Sequence, residues 1–87
     1  METWQLVARL AEAEGYDVYD RDGQNIGQLE HLLYRHHADR PDFIIIRRRF
    51  LFLGTRLDRV PFEAVADVDD EARFVRLTTP AEAVVRH

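Results

Sequence analysis

Apolar positions recur along this chain in more than one rhythm. Near its start, Trp4, Val7, Ala8 and Ala11 fall at helical spacing, and Leu6 and Leu10 widen the stripe. The pattern predicts an amphipathic helix over Met1–Glu14, with Thr3 as N-cap and Gly15 as the residue that ends it. So short a helix is marginal alone in water, so its apolar face needs a partner surface, in the rest of the chain or in a second subunit.

Beyond Gly15 the segments shorten and turn residues punctuate them. Tyr16–Tyr19 reads as a strand running into Asp22–Gly23, a hairpin signal. Asn25–Arg35 is ambiguous. Ile26, Leu29 and Leu33 have helical spacing, and a strand here needs a bulge to bring Ile26 and Leu29 to one face. His36–Asp42 is a polar loop closed by Pro41. Phe43–Ile46 is a β-branched run expected to be a strand buried on both faces. Phe50, Phe52 and the intervening leucines continue it as a second strand, stopped by Gly54.

Val60 and Pro61 mark an edge or a strand start, because proline cannot donate to an interior ladder. Val65–Val68 and Phe74–Leu77 are two further strands around the acidic turn Asp69–Ala72. Thr79, Pro80 and Glu82 have capping-box spacing and predict a short terminal helix through Arg86. The expected core is Val18, Ile26, Leu29, Leu33, Ile44, Ile46, Phe52, Val65, Val68, Val75 and Leu77.

Composition narrows the chemistry. The 87 residues are 46% hydrophobic and 32% charged, the balance of one small globular domain. Cys, Ser and Lys are absent. That removes disulfides, thiolate and serine nucleophiles, lysine Schiff bases and the phosphate-binding loop that needs a lysine. All 12 basic side chains other than histidine are arginine, and the net charge is −4, which weighs against a dedicated nucleic-acid binder. No stretch approaches the ~20 apolar residues of a membrane helix, and residues 1–10 lack the pattern of a secretory signal. A cytoplasmic protein is the expectation.

Three features invite a chemical reading. With Gly23 as the sixth position of a calcium loop, Asp20 and Asp22 fit positions three and five. Val18 and Leu29, however, stand where positions one and twelve need oxygen ligands, so a solvated turn is the better reading. His31, His36, His37 and Asp39 contain metal-ligating types, but adjacent histidines point apart on a strand and are free in a loop. No metal or other cofactor is expected.

The cluster Arg47, Arg48 and Arg49, with Arg56 and Arg59 nearby, is the most distinctive charge feature. It reads either as a patch for phosphate, RNA or an acidic partner, or as charges that keep an apolar hairpin from pairing with neighbours. Strand alternation puts Arg47 and Arg49 on one face and Arg48 on the other.

The stretch from Gly15 to Val85 resembles the PRC-barrel domain, a small β-barrel shared by the photosynthetic reaction-centre H subunit, a ribosome-maturation factor and many stand-alone bacterial and archaeal proteins. Its pattern falls on Gly15, Val18, Asp22, Gly23, Ile26, Gly27, Val60 and Pro61. The resemblance implies a bent strand from Asn25 to about Tyr34, against the helical spacing. It also implies a binding module that docks onto proteins, with no catalytic residues. The expected architecture is mainly β: a PRC-type β-barrel of about six strands over residues 15–87, an amphipathic N-terminal helix over residues 1–14 and a short C-terminal helix.

The expected function is a non-enzymatic protein-interaction or scaffold module, acting as a homodimer. Its candidate partner-binding residues are Trp4, Arg47, Arg48, Arg49, Arg56 and Arg59. An RNA- or ribosome-associated assembly factor using Arg47–Arg49 is the alternative.

Overall fold

A computed structural model describes residues 2–87. It contains helix α1 (Thr3–Ala11) and strands β1 (Asp17–Tyr19), β2 (Asn25–Leu33), β3 (Phe43–Phe50), β4 (Gly54–Pro61), β5 (Val65–Asp69), β6 (Phe74–Leu77) and β7 (Val85–Arg86). All seven strands join one sheet in the order β5-β6-β1-β2-β3-β4-β7. Neighbours pair antiparallel except β1 and β6, which run parallel. Among the described residues no helix is long and apolar enough to cross a membrane.

The core face gathers Val18, Ile26, Leu29, Ile44, Ile46, Val60, Val68, Val75 and Leu77, with Phe62, Ala64 and Val65 closing around them. Nine of the eleven expected core residues are buried. Leu33 is only half-buried, and Phe52 is 95% exposed.

The helix is shorter than its pattern suggests. Glu2, not Thr3, is its N-cap, and the Glu2 amide donates to Gln5 Oε1 at 3.0 Å. Its buried side is Leu10 followed by Ala13, with Leu6 and Val7 against the core, whereas Trp4, Ala8 and Ala11 face outward. Arg9 ties the helix to β5, donating to the Val68 carbonyl at 3.2 Å.

The ambiguous segment is the strand β2, and bulges reconcile its spacing with the sheet. The β1 ladder passes from Val18↔Gly27 to Tyr19↔Asn25, leaving Ile26 as an extra residue. The β3 ladder passes from Leu29↔Ile46 to His31↔Ile45, leaving Glu30 extra. Ile26 and Leu29 therefore both reach the core despite a spacing of three. Gly27 has φ +141°, and a Cβ there would stand 2.5 Å from the Arg47 carbonyl oxygen.

Three other expectations change. The chain reverses at Leu51–Leu53, so Phe50 ends β3 and Phe52 sits in a turn rather than in a second strand. Eight residues on either side, Phe43–Phe50 and Gly54–Pro61, pair without a break, and that long register places the turn. Val60 and Pro61 consequently end β4 instead of starting a strand. The C-terminal segment forms a 3₁₀ turn, Ala81–Ala83, and then a seventh strand, β7, on the open edge of β4.

The capping-box helix does not form because tertiary contacts take its place. The Ala81 amide donates to Oδ2 of buried Asp20 at 3.3 Å, and Val85 pairs with Arg59. Asp20 Oδ1 also accepts from the amides of Asp22 and Gln24 at 2.9 and 2.8 Å, so one carboxylate fixes the β1–β2 turn and the C-terminal segment together.

Candidate docking surface

The hairpin of β3 and β4 carries the arginine cluster, and its register decides what each guanidinium meets. Arg48 stands directly across from Arg56, a like-charge pair that is unfavourable by itself. Asp58, fully buried and two residues along β4, resolves it. Arg56 Nε and Nη2 donate to Asp58 Oδ1 and Oδ2 at 2.7 and 2.8 Å, and Arg48 Nη1 donates to Oδ2 at 3.1 Å. Both guanidiniums also lie over the Phe50 ring, 5.3 and 4.8 Å from its centroid. Burial disfavours the Asp58 carboxylate, but the bonds from Arg56 and Arg48 outweigh it and hold its pKa below the ordinary value. Donating to Asp58 in turn raises the pKa of Arg56.

The other face of β3 holds Arg47 and Arg49. Arg47 donates to Gln28 Oε1 at 3.0 Å and pairs with Glu30 at 3.2 Å. Arg59 is occupied differently, lying 5.2 Å from the centroid of Phe43. Arg49 is exposed, and among the described residues no carboxylate pairs with it. The five arginines therefore form no single patch. Arg48 and Arg56 meet at Asp58, Arg47 meets β2, Arg59 meets Phe43, and Arg49 faces solvent.

An open groove of about 320 Å³ lies between the start of β2 and the end of β3, with Asp17, Gln28 and Arg47–Arg49 among its lining residues.

Beyond Arg49 the hairpin apex is apolar. Leu51, Phe52 and Leu53 are 81%, 95% and 83% exposed. Phe52 has φ +71°, in the left-handed region that bulky side chains rarely occupy, and Gly54 follows at φ +82°. The sequence contains a signal for this apex in Gly54, eight residues after Ile46, but hydrophobicity alone points the other way. Trp4, the remaining candidate contact, is 67% exposed on α1, which packs against β5.

The histidines do not converge. His31 is exposed on β2, while His36 and His37 belong to the loop organised by Asp42. Asp42 Oδ2 accepts from the amides of Arg35 and His36 at 2.7 and 2.8 Å, and its Oδ1 lies 3.3 Å from His37 Nδ1. The amide of His36 first, then that of Arg35, stabilises the carboxylate and lowers its pKa to about 2. Among the described residues no group of three or more His, Asp or Glu could hold a metal ion.

Comparison with known proteins agrees with the fold. A crystal structure of a protein described as a 16S ribosomal RNA processing protein, RimM, from Pseudomonas aeruginosa superposes with a TM-score of 0.58 at 22% identity. The superposition covers 87% of this chain and 44% of that one, so this chain spans less than half of its length. A search of the curated proteins returns no match. The sequence profile of the PRC-barrel domain matches residues 7–84, from the second turn of α1 to the residue before β7. With the fold and this match in agreement, the chain belongs to the PRC-barrel domain family.

Proposed function

We propose that this chain is a non-enzymatic docking module that binds another protein, with a second copy of itself as the first partner to test. The observation that carries the reading is Trp4. Its helix is anchored by Leu10 and Ala13 in the core, yet the indole stays 67% exposed on the outer side. A large aromatic on a fixed element, with little side-chain entropy left to lose, is the kind of residue that dominates protein interfaces.

A non-catalytic role is supported by where the polar groups are used. Asp20, Asp42 and Asp58 all turn their carboxylate oxygens toward backbone amides or arginines that hold the fold. The alternative, RNA- or ribosome-linked assembly through Arg47–Arg49, has less support, because Arg47 and Arg48 already face carboxylates. A cytoplasmic location accords with this reading.

Sedimentation of the purified chain at micromolar concentration tests the reading together with Trp4→Ala. A dimer that Trp4→Ala weakens about tenfold or more supports docking through α1. Affinity capture from native lysate, with and without nuclease, tests other partners. A protein retained after nuclease supports the module. A monomer whose only captured components are ribosomal and vanish with nuclease overturns it in favour of the arginine cluster.

A further inference from the structure

The β3–β4 apex is unrelated to Trp4, and the fold itself gives no reason for it. Three consecutive large apolar side chains stand 81–95% exposed at the end of a hairpin. A two-stranded ribbon needs small or polar residues at its turn, and a bulky residue at φ +71° strains the backbone. Exposure and conformation both run against stability, which marks the turn as kept for contact with something outside the chain.

We propose that this apex is a membrane-surface anchor. Leu51, Phe52 and Leu53 enter the acyl boundary of an anionic bilayer, while Arg49 meets lipid phosphate. Charge supports that occupant. Residues 47–58 contain four arginines and one carboxylate within a chain of net charge −4. Arg47, Arg48 and Arg56 face Glu30 and Asp58, which leaves Arg49, next to the apex, with no carboxylate partner among the described residues. The acidic turn at Asp69–Glu71 lies at the opposite end of the strands, because β6 leaves that turn parallel to β1 while β3 reaches the apex beside the start of β2. The molecule can therefore approach an anionic surface apex first with Asp69–Glu71 turned away, Asp22 of the β1–β2 turn and Glu82 being the carboxylates at the apex end.

Dimensions support it as well. At a strand rise of about 3.3 Å per residue, Arg49 sits roughly 7 Å behind Leu51. Interfacial segments bury their apolar side chains about 5–10 Å into the headgroup and acyl boundary, so inserted leucines leave the Arg49 guanidinium at phosphate level. Arg48 and Arg56, one rung further back, share Asp58 and line a shallow depression with Glu82, so the rim there is neutral and Arg49 is the cation that meets phosphate. The shape of the apex favours lipid over a protein groove. Three adjacent side chains, each more than four-fifths exposed, are uncovered nearly all round, which a fluid boundary accepts more readily than a single cleft.

Vesicle co-sedimentation of the full chain tests the proposal, using phosphatidylcholine alone and phosphatidylcholine mixed with phosphatidylglycerol. The expected result is binding to the anionic vesicles, weakened by salt. Phe52→Asp should lower it by at least about tenfold, and Arg49→Gln by about fivefold. Because both side chains are exposed, circular dichroism of the variants should match the parent. A second readout places Phe52→Trp in a Trp4→Phe background, where brominated lipids should quench the new indole.

Absence of binding to anionic vesicles overturns the proposal. So does equal binding by Phe52→Asp, or an unquenched Phe52→Trp indole. A protein captured from lysate by the parent and lost with Phe52→Asp, without vesicle binding, assigns the apex to a protein partner instead. Self-association through Trp4 is read separately, so its failure leaves the vesicle result standing.

Discussion

At Gly27 the backbone of β2 passes so close to β3 that a methyl group has no room. An alanine Cβ would meet the Arg47 carbonyl oxygen at 2.5 Å and Ile46 Cγ2 at 2.8 Å, at a φ of +141° that side chains avoid. Gly27→Ala should therefore destabilise the fold by about 2–3 kcal/mol, measured by urea unfolding. Gly23 makes a useful control, since a Cβ there would meet nothing within 4 Å and only its φ of +83° resists substitution. The same scale explains the partial legibility of the arginine cluster. Its residues are plain in the sequence, but their partners are not. The Arg48–Asp58–Arg56 arrangement exists because Arg48 faces Arg56 across the hairpin, and only the register places Asp58 beside both.

Among the elements, the β3–β4 turn is the one where truncating a large apolar side chain should cost nothing. Phe52→Gly relieves a left-handed phenylalanine and deletes a side chain that contributes almost nothing to the core. It should leave stability unchanged or raise it by up to about 1 kcal/mol, read from the urea midpoint. This element also shows why hydrophobicity alone puts Phe52 inside. Periodicity registers Phe50–Leu53 as a buried run and has no means of knowing that eight residues on each side will pair in unbroken register around it. At Asn25–Leu33 the opposite happened. Spacing favours a helix, and the family resemblance favours a bent strand. The bulge at Ile26 lets the strand bury Ile26 and Leu29, while the bulge at Glu30 turns Leu32 toward the core and leaves Leu33 half-buried. At the C-terminus, Thr79–Glu82 carries a sound local helix signal. It is overridden by Asp20 and by the unpaired edge of β4, neither of which is close in sequence.

Acid sensitivity belongs to the molecule as a whole, because hydrogen-bonded carboxylates hold separate parts of it, Asp42 the loop after β2 and Asp58 the β3–β4 hairpin. Asp42 and Asp58 both have folded-state pKa values below their ordinary ones, Asp42 at about 2. A carboxyl depressed on folding stabilises the native state above its unfolded pKa, near 3.9, and that stability is lost as pH falls through the folded value. Thermal unfolding should accordingly show a fall in midpoint between about pH 4 and about pH 2. Asp42→Asn should flatten part of that fall. Asp58→Asn should lower stability already at neutral pH, by about 2–4 kcal/mol, since it leaves Arg48 and Arg56 facing each other without a counter-charge.

The parallel pairing of β1 with β6 has a consequence of another kind. It joins Asp17 to Phe74, whereas β2, β3 and β4 follow one another as a simple meander. Loop closure between such remote segments is slow compared with hairpin formation. During synthesis the chain therefore offers β1 with one flank unpaired until Phe74–Leu77 has left the ribosome. The interval between those two events is when this protein is most open to pairing with the wrong strand.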